Sequence, residues 1–171
     1  VSNTLVIRSE SPADVEAITQ VNVRAFESHP HSEQTEHFIV RALRRDGALT
    51  VSLVAELAEK VVGHIAFSPV RFSDGSPLWH GLGPVAVLPG SQRQGIGKAL
   101  IDRGLETLRA MSAVGCVVLG DPDFYGRFGF RHRPDCIFEG VPAGYFQVLA
   151  FHEAYPVTGT VTYHDAFDAR R

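Results

Sequence analysis

The chain has 171 residues, 44% hydrophobic and 20% charged, which suits a globular domain long enough to bury a core. Sixteen Lys and Arg against 19 Asp and Glu give a formal charge of -3 with no basic run, so no nucleic-acid partner is expected. No apolar stretch approaches the roughly 18 residues that span a bilayer, the N-terminus lacks a basic region followed by an apolar one, and two cysteines are too few for a disulfide framework; a soluble, cytoplasmic protein without a membrane partner is expected.

From Asn3 to Ser9 apolar and polar residues alternate, which predicts a first strand. Ser11 can cap a helix with Pro12 at its first position, and Val15, Ile18, Thr19 and the residues from Asn22 to Phe26 give it an apolar stripe. A second helix is expected from Ser32 to Arg45, with Phe38, Ile39, Ala42 and Leu43 inward and Gly47 ending it. Thr50 to Glu56 and Val61 to Val70 read as a hairpin turned at Ala58-Glu59-Lys60. Phe72 to Pro77 is a polar loop leading to a strand from Leu82 to Leu88. From Gln94 to Met111 the period is helical, with Ile96, Leu100, Ile101, Leu105 and Leu108 on one face. Gly115 to Gly120 is a strand apolar on both faces, Phe124 to Phe128 a short helix, Gly144 to Phe151 another strand, and Thr158 to Tyr163 a short edge strand. These elements predict one α/β domain over residues 1–171, a mixed, largely antiparallel sheet flanked by helices. Its motifs fall in 1–151, and 152–171 form a C-terminal extension.

One stretch carries the chemistry. The strand ending Val85-Ala86-Val87-Leu88-Pro89 is followed by Gln92-Arg93-Gln94-Gly95-Ile96-Gly97-Lys98 and then a helix, the arrangement that aims several backbone N–H groups at one anion. Gly95 and Gly97 have no Cβ, so a phosphate oxygen can approach their amides. A Walker loop would need glycine and a hydroxyl where Gln92 and Ala99 stand, and a dinucleotide fingerprint would need glycine in place of Leu100. Both readings fail.

The remaining pattern, Gln92-x-x-Gly95-x-Gly97 after such a strand, closely resembles the coenzyme A signature of the GNAT N-acetyltransferases. The run from Leu119 through Asp121 and Tyr125 to Phe130 resembles the second half of the same family's site. The resemblance implies acetyl-CoA as co-substrate, a small-molecule or peptide amine as acceptor, and no metal. It implies pyrophosphate donors among the amides of 93–98, with Arg93 and Lys98 adding charge or simply facing solvent. It also implies that the edge of Val85, Ala86 and Val87 pairs with the pantetheine arm, and that a backbone N–H near Val87 polarises the thioester where the strand bulges away from its neighbour. Pro89 fits that opening and equally fits a plain strand end. Asp121, Tyr125 and Phe128 would close the carrier site on the far side. Tyr125 matches the family's general acid, although Phe124, Phe128 and Phe130 around it also suit a packing role, and Asp121 equally suits a helix cap.

The base that frees the amine is open among Glu56, His64, His80, Glu33 and His37, with His80 nearest the position where the family places one, commonly a glutamate. A carrier-binding module without turnover and a modifier of a macromolecular acceptor stand as alternatives. A homodimer is one oligomeric state open to the chain.

Overall fold

In a computed structural model, residues 3–152 and 157–171 are described; the expectations that touch residues 1–2 and 153–156 lie outside them. The elements run β1 (Val6–Ser9), α1 (Val15–Phe26), α2 (Glu36–Arg45), β2 (Val51–Leu57), β3 (Lys60–Phe72), β4 (Trp79–Val87), α3 (Ile96–Ala110), β5 (Gly115–Leu119), α4 (Pro122–Tyr125), β6 (Cys136–Ile137), β7 (Phe146–Ala150) and β8 (Gly159–Tyr163). The strands lie in the order β1-β2-β3-β4-β5-β7, antiparallel except for the parallel β4–β5 pair, and β8 joins β3 to β6. This is the mixed, largely antiparallel sheet read from the sequence.

The two faces of the sheet are covered differently. The apolar stripe of α3, Ile96, Leu100, Ile101, Leu105 and Leu108, is buried against Leu53, Ala55, Ile65, Phe67 and Leu82, while α1 and α2 place Ile18 and Val40 on Val54 from the other side. Each such Leu or Ile contributes about 1.5–3 kcal/mol by leaving water, so α3 and the central strands hold each other in register. The hairpin turn is the two residues Ala58 and Glu59, both at positive φ, as a tight antiparallel connection requires.

Several boundaries differ from expectation for local reasons. The first strand begins at Val6, not Asn3. A single 3-10 turn at Pro12–Asp14 precedes α1, and the Asp14 carboxylate accepts from the Ser11 N–H at 2.7 Å, so the return half of the cap is made by Asp14. The second helix begins at Glu36 rather than Ser32, because Ser32 Oγ is engaged by the Glu36 carboxylate and the Gln34 amide in a turn where Gln34 has φ 61. Val40 takes the buried place expected of Phe38. The predicted edge strand at the C-terminal end is not an edge: β8 is hydrogen-bonded to the end of β3 and to the two-residue β6, which no sequence pattern announced.

Candidate active site

The cleft exists because β4 has two different halves. Its first half pairs with β5, from Trp79 against Gly115 to Leu82 against Val118. Beyond Leu82 it takes one residue too many: Phe67 faces Leu82 but Ile65 faces Val85, so Gly83 and Pro84 together oppose Ala66. This is a β-bulge, with a cis peptide between Gly83 and Pro84, placed where proline's missing N–H costs the ladder nothing. After it β4 follows β3 and leaves β5 behind.

The hydrogen-bond phase then decides what faces the gap. Leu88 N–H bonds to the Val62 carbonyl at 2.9 Å on the β3 side. By alternation the N–H and C=O groups of Val85 and Val87 point the other way, toward the space β5 has vacated. Such an edge can accept an extended amide-bearing chain as one more strand.

Immediately beyond lies an anion cradle made of backbone. After a turn at Pro89–Ser91, Arg93 and Gly95 adopt positive φ of 60 and 81, and α3 starts at Ile96. The Ala99 N–H is the first to bond back into the helix, to the Gly95 carbonyl at 3.0 Å, and no side chain caps the N-terminus. The amides of Ile96, Gly97 and Lys98 are therefore without a protein acceptor among the described residues, as the first turn of any uncapped helix leaves them. A Cβ built on Gly95 would meet nothing within 4 Å, and one on Gly97 would meet only Val87 Cγ2 at 3.9 Å, so there is room above both amides.

The side chains in this stretch are less available than its amides. Ile96 is buried in the core, Lys98 is ion-paired with Asp102 at 2.5 Å, and Arg93 is exposed. Gln94 reaches back to the Gly90 carbonyl at 3.4 Å. Gln92 donates to the Val87 carbonyl at 3.1 Å, which ties the loop to the strand edge.

The opposite wall is built on β5 and α4. Asp121 accepts from the Asp123 N–H at 2.9 Å and so caps α4 ahead of Pro122. That turn lays the Tyr125 ring on Gly120, with Phe124 and Phe130 edge-on at centroid distances of 4.9 and 6.0 Å; Phe128 packs on Phe124 at 5.5 Å. Tyr125 is 9% exposed, yet its hydroxyl is neither hydrogen-bonded among the described residues nor sealed from solvent. Burial, with Cys116 nearby, pushes its pKa up to about 12, so the phenol holds its proton at any working pH.

The candidate bases fare differently. Glu56 is salt-bridged to Arg8 at 3.0 Å and Glu33 to Arg170 at 3.0 Å. His64 lies wholly in the core: Asn22 Nδ2 donates to the Ile18 carbonyl and to His64 Nδ1, so Nε2–H donates to Ser52 Oγ at 2.9 Å. Burial lowers its pKa to about 3 and keeps it neutral. His80 sits in the paired half of β4, opposite Cys116, with Nδ1 buried and unpartnered and its pKa lowered by burial. Three residues along the strand, roughly 10 Å, take it to the bulge at Gly83. His37, part-exposed on α2, has its pKa lowered by burial and Arg41. The resemblance implied a bulge near Val87; its place, at Gly83 and Pro84, is the feature sequence reading missed. Its signal was present, since proline inside an apolar strand marks an edge or a bulge.

The family model for the acetyltransferase (GNAT) family matches residues 15–130, more than half of the chain. The uncharacterized N-acetyltransferase YhbS of Escherichia coli K12 is 37% identical over 96% of this chain and 99% of its own length. Among solved structures, a GNAT family acetyltransferase from Brucella melitensis in complex with acetyl-CoA is 47% identical, with a TM-score of 0.87 over 98% of this chain and all of that one. Escherichia coli YhbS in complex with CoA gives 0.89 at 35% identity, over 98% and 94%. Bulged strand, uncapped helix start and tyrosine-bearing turn thus occur in a chain that belongs to the GNAT acetyltransferase family.

Proposed function

We propose that this protein transfers an acetyl group from acetyl-CoA to an amine by direct attack while both are bound. The observation that carries this is the continuity of the Val85–Val87 edge with the unpaired amides of Ile96, Gly97 and Lys98: one wall offers a place for an amide-bearing arm and, at its end, a place for phosphate. The carrier supplies an acetyl thioester. The amides hold its pyrophosphate, and the arm runs from Val87 back toward the bulge. The outward N–H nearest the bulge is that of Val85, because Pro84 has none; we therefore assign polarisation of the carbonyl to Val85 in preference to Val87. The amine nitrogen forms the new C–N bond as C–S breaks. Sulfur leaves with the electron pair and takes a proton from the Tyr125 hydroxyl, the amine gives its proton to solvent, and solvent restores Tyr125.

Calorimetric titration with acetyl-CoA and thiol release over a panel of amines test this reading; no binding at millimolar acetyl-CoA defeats it. A second reading, a carrier-binding module without turnover, is favoured by one observation: Glu56, Glu33 and His64 are all engaged elsewhere. Tight binding without thiol release from any amine would select it.

A further inference from the structure

Six side-chain polar atoms of the described residues are buried without a hydrogen-bond partner, and two of them, Ser68 Oγ and Tyr163 OH, belong to one place. Ser68 on β3 stands opposite Gly81 on β4, so its side chain and the absent one of Gly81 share a face about 5 Å apart. Tyr163 on β8 pairs with Val70, two residues along β3. Its ring lies across the strands in the space that a side chain at Gly81 would fill, since a Cβ there would fall 2.5 Å from Tyr163 Cε1. Gly81 in turn pairs with Val117, close to the point where β4 and β5 part, and is two residues, roughly 7 Å, from the bulge.

Tyr163 and Tyr125 therefore approach the apex of the cleft from opposite faces of the sheet. Tyr125 belongs to the core under α3, and Tyr163 to the cluster with Val70, Trp79 and Val117. Burial, then the nearness of Cys116 and of Tyr125, raises the Tyr163 pKa, consistent with that placement. Phe138 and Phe167 hold the ring at centroid distances of 5.3 and 5.0 Å. The two hydroxyls bond neither each other nor any other group of the described residues. Buried polar groups are nearly always paired, and an unpaired one costs stability. The Ser68 and Tyr163 oxygens are both closed to solvent, so a ligand that pairs them must enter beside Gly81 with only a small end that brings its own N–H groups.

Resting on the acetyl-transfer reading, we propose that Tyr163, with Ser68 beside it, positions the acceptor. The two hydroxyl oxygens accept the two N–H hydrogens of an incoming neutral primary amine and turn its lone pair toward the carrier's carbonyl. A secondary amine has a single N–H and satisfies only one of the pair, so the arrangement selects primary amines.

The test uses Tyr163→Phe and Ser68→Ala in the full chain. Acetyl-CoA Kd, thiol release with primary amines and with their N-methyl derivatives, and Tm are measured for each. The acceptor KM is expected to rise about tenfold or more with a smaller change in kcat, the preference for primary over N-methyl amines to shrink, and acetyl-CoA Kd to stay within about twofold. The Tm is expected to hold or rise by about 2–4 °C, because an unpaired buried hydroxyl has been removed. An unchanged acceptor KM, or a Tm lowered by several degrees in both variants, overturns the proposal. Should wild type release no thiol with any amine of the panel, the acetyl-transfer reading fails on its own, and the positioning role, which rests on it, falls too.

Discussion

The wall of the cleft along β4 and the start of α3 is made of main chain, whereas the wall along β5 and α4 is made of side chains. On the first, the groups facing the gap are the edge of Val85 and Val87 and the amides of Ile96, Gly97 and Lys98; the named side chains there are buried, exposed or engaged with their own neighbours. On the second, one phenol stands out from a cage of aromatic rings. A backbone site recognises what every carrier of its class has in common, an extended amide arm and a pyrophosphate, and tolerates change at most side chains. A side-chain site depends on single atoms. The two walls should therefore fail in different ways.

The largest effect is expected from blocking the backbone wall without disturbing the fold. Gly97→Asp places a carboxylate in open space at the second position of α3, where the helix dipole favours it. Stability should hold or increase, while like charge against the phosphates raises the acetyl-CoA Kd about 1,000-fold, roughly 4 kcal/mol, by calorimetry. Tyr125→Phe comes next and should do the reverse: kcat falls about 100-fold with the acetyl-CoA Kd unchanged. Because burial holds the Tyr125 pKa near 12, no loss of wild-type kcat between pH 7 and 10 should trace to this residue, and a stopped-flow pH profile of both proteins checks it.

How much of this was readable from the sequence follows the same division. Gly95 and Gly97 announce a backbone site because a phosphate approaches main-chain amides most closely where side chains are missing, and a missing side chain is visible at a single position of the sequence. The apolar periods of α3 and β5 were readable for a similar reason, each being a local pattern. The base was not, because the fate of each candidate is decided far along the chain: Glu56 by Arg8, 48 residues away, and His64 by Asn22, 42 residues away. The Ser68 and Tyr163 hydroxyls meet only because β8 returns to the end of β3. The start of α2 was misplaced because Ser32, a good helix cap by type, is occupied in the preceding turn.

Outside the cleft, His64 is a side chain fixed for structure, wholly buried between Asn22 and Ser52. With a pKa near 3 when folded and near 6.5 when exposed, it binds a proton in the unfolded chain that the folded chain refuses between those values. Stability is full above pH 6.5 and should fall as pH drops through that window, by up to about 1.4 kcal/mol per unit. The Asp14 carboxylate, held low by its hydrogen bonds with Arg8, adds its own loss only below its ordinary value of 3.8. Urea unfolding at pH 7, 5.5 and 4.5 should show the slope in wild type and a flatter line in His64→Gln. The smallest effect is expected at Gln92: Gln92→Ala removes one exposed hydrogen bond to the Val87 carbonyl and should weaken acetyl-CoA binding about threefold with little change in Tm.

The most direct test of the main-chain wall is an amide NMR titration of the wild-type protein with acetyl-CoA. The Ile96, Gly97 and Lys98 resonances are expected to move first and furthest, with Val85 and Val87 following and the amides of α2 unmoved. Saturable binding that leaves those three amides in place and shifts a different part of the chain would contradict this expectation.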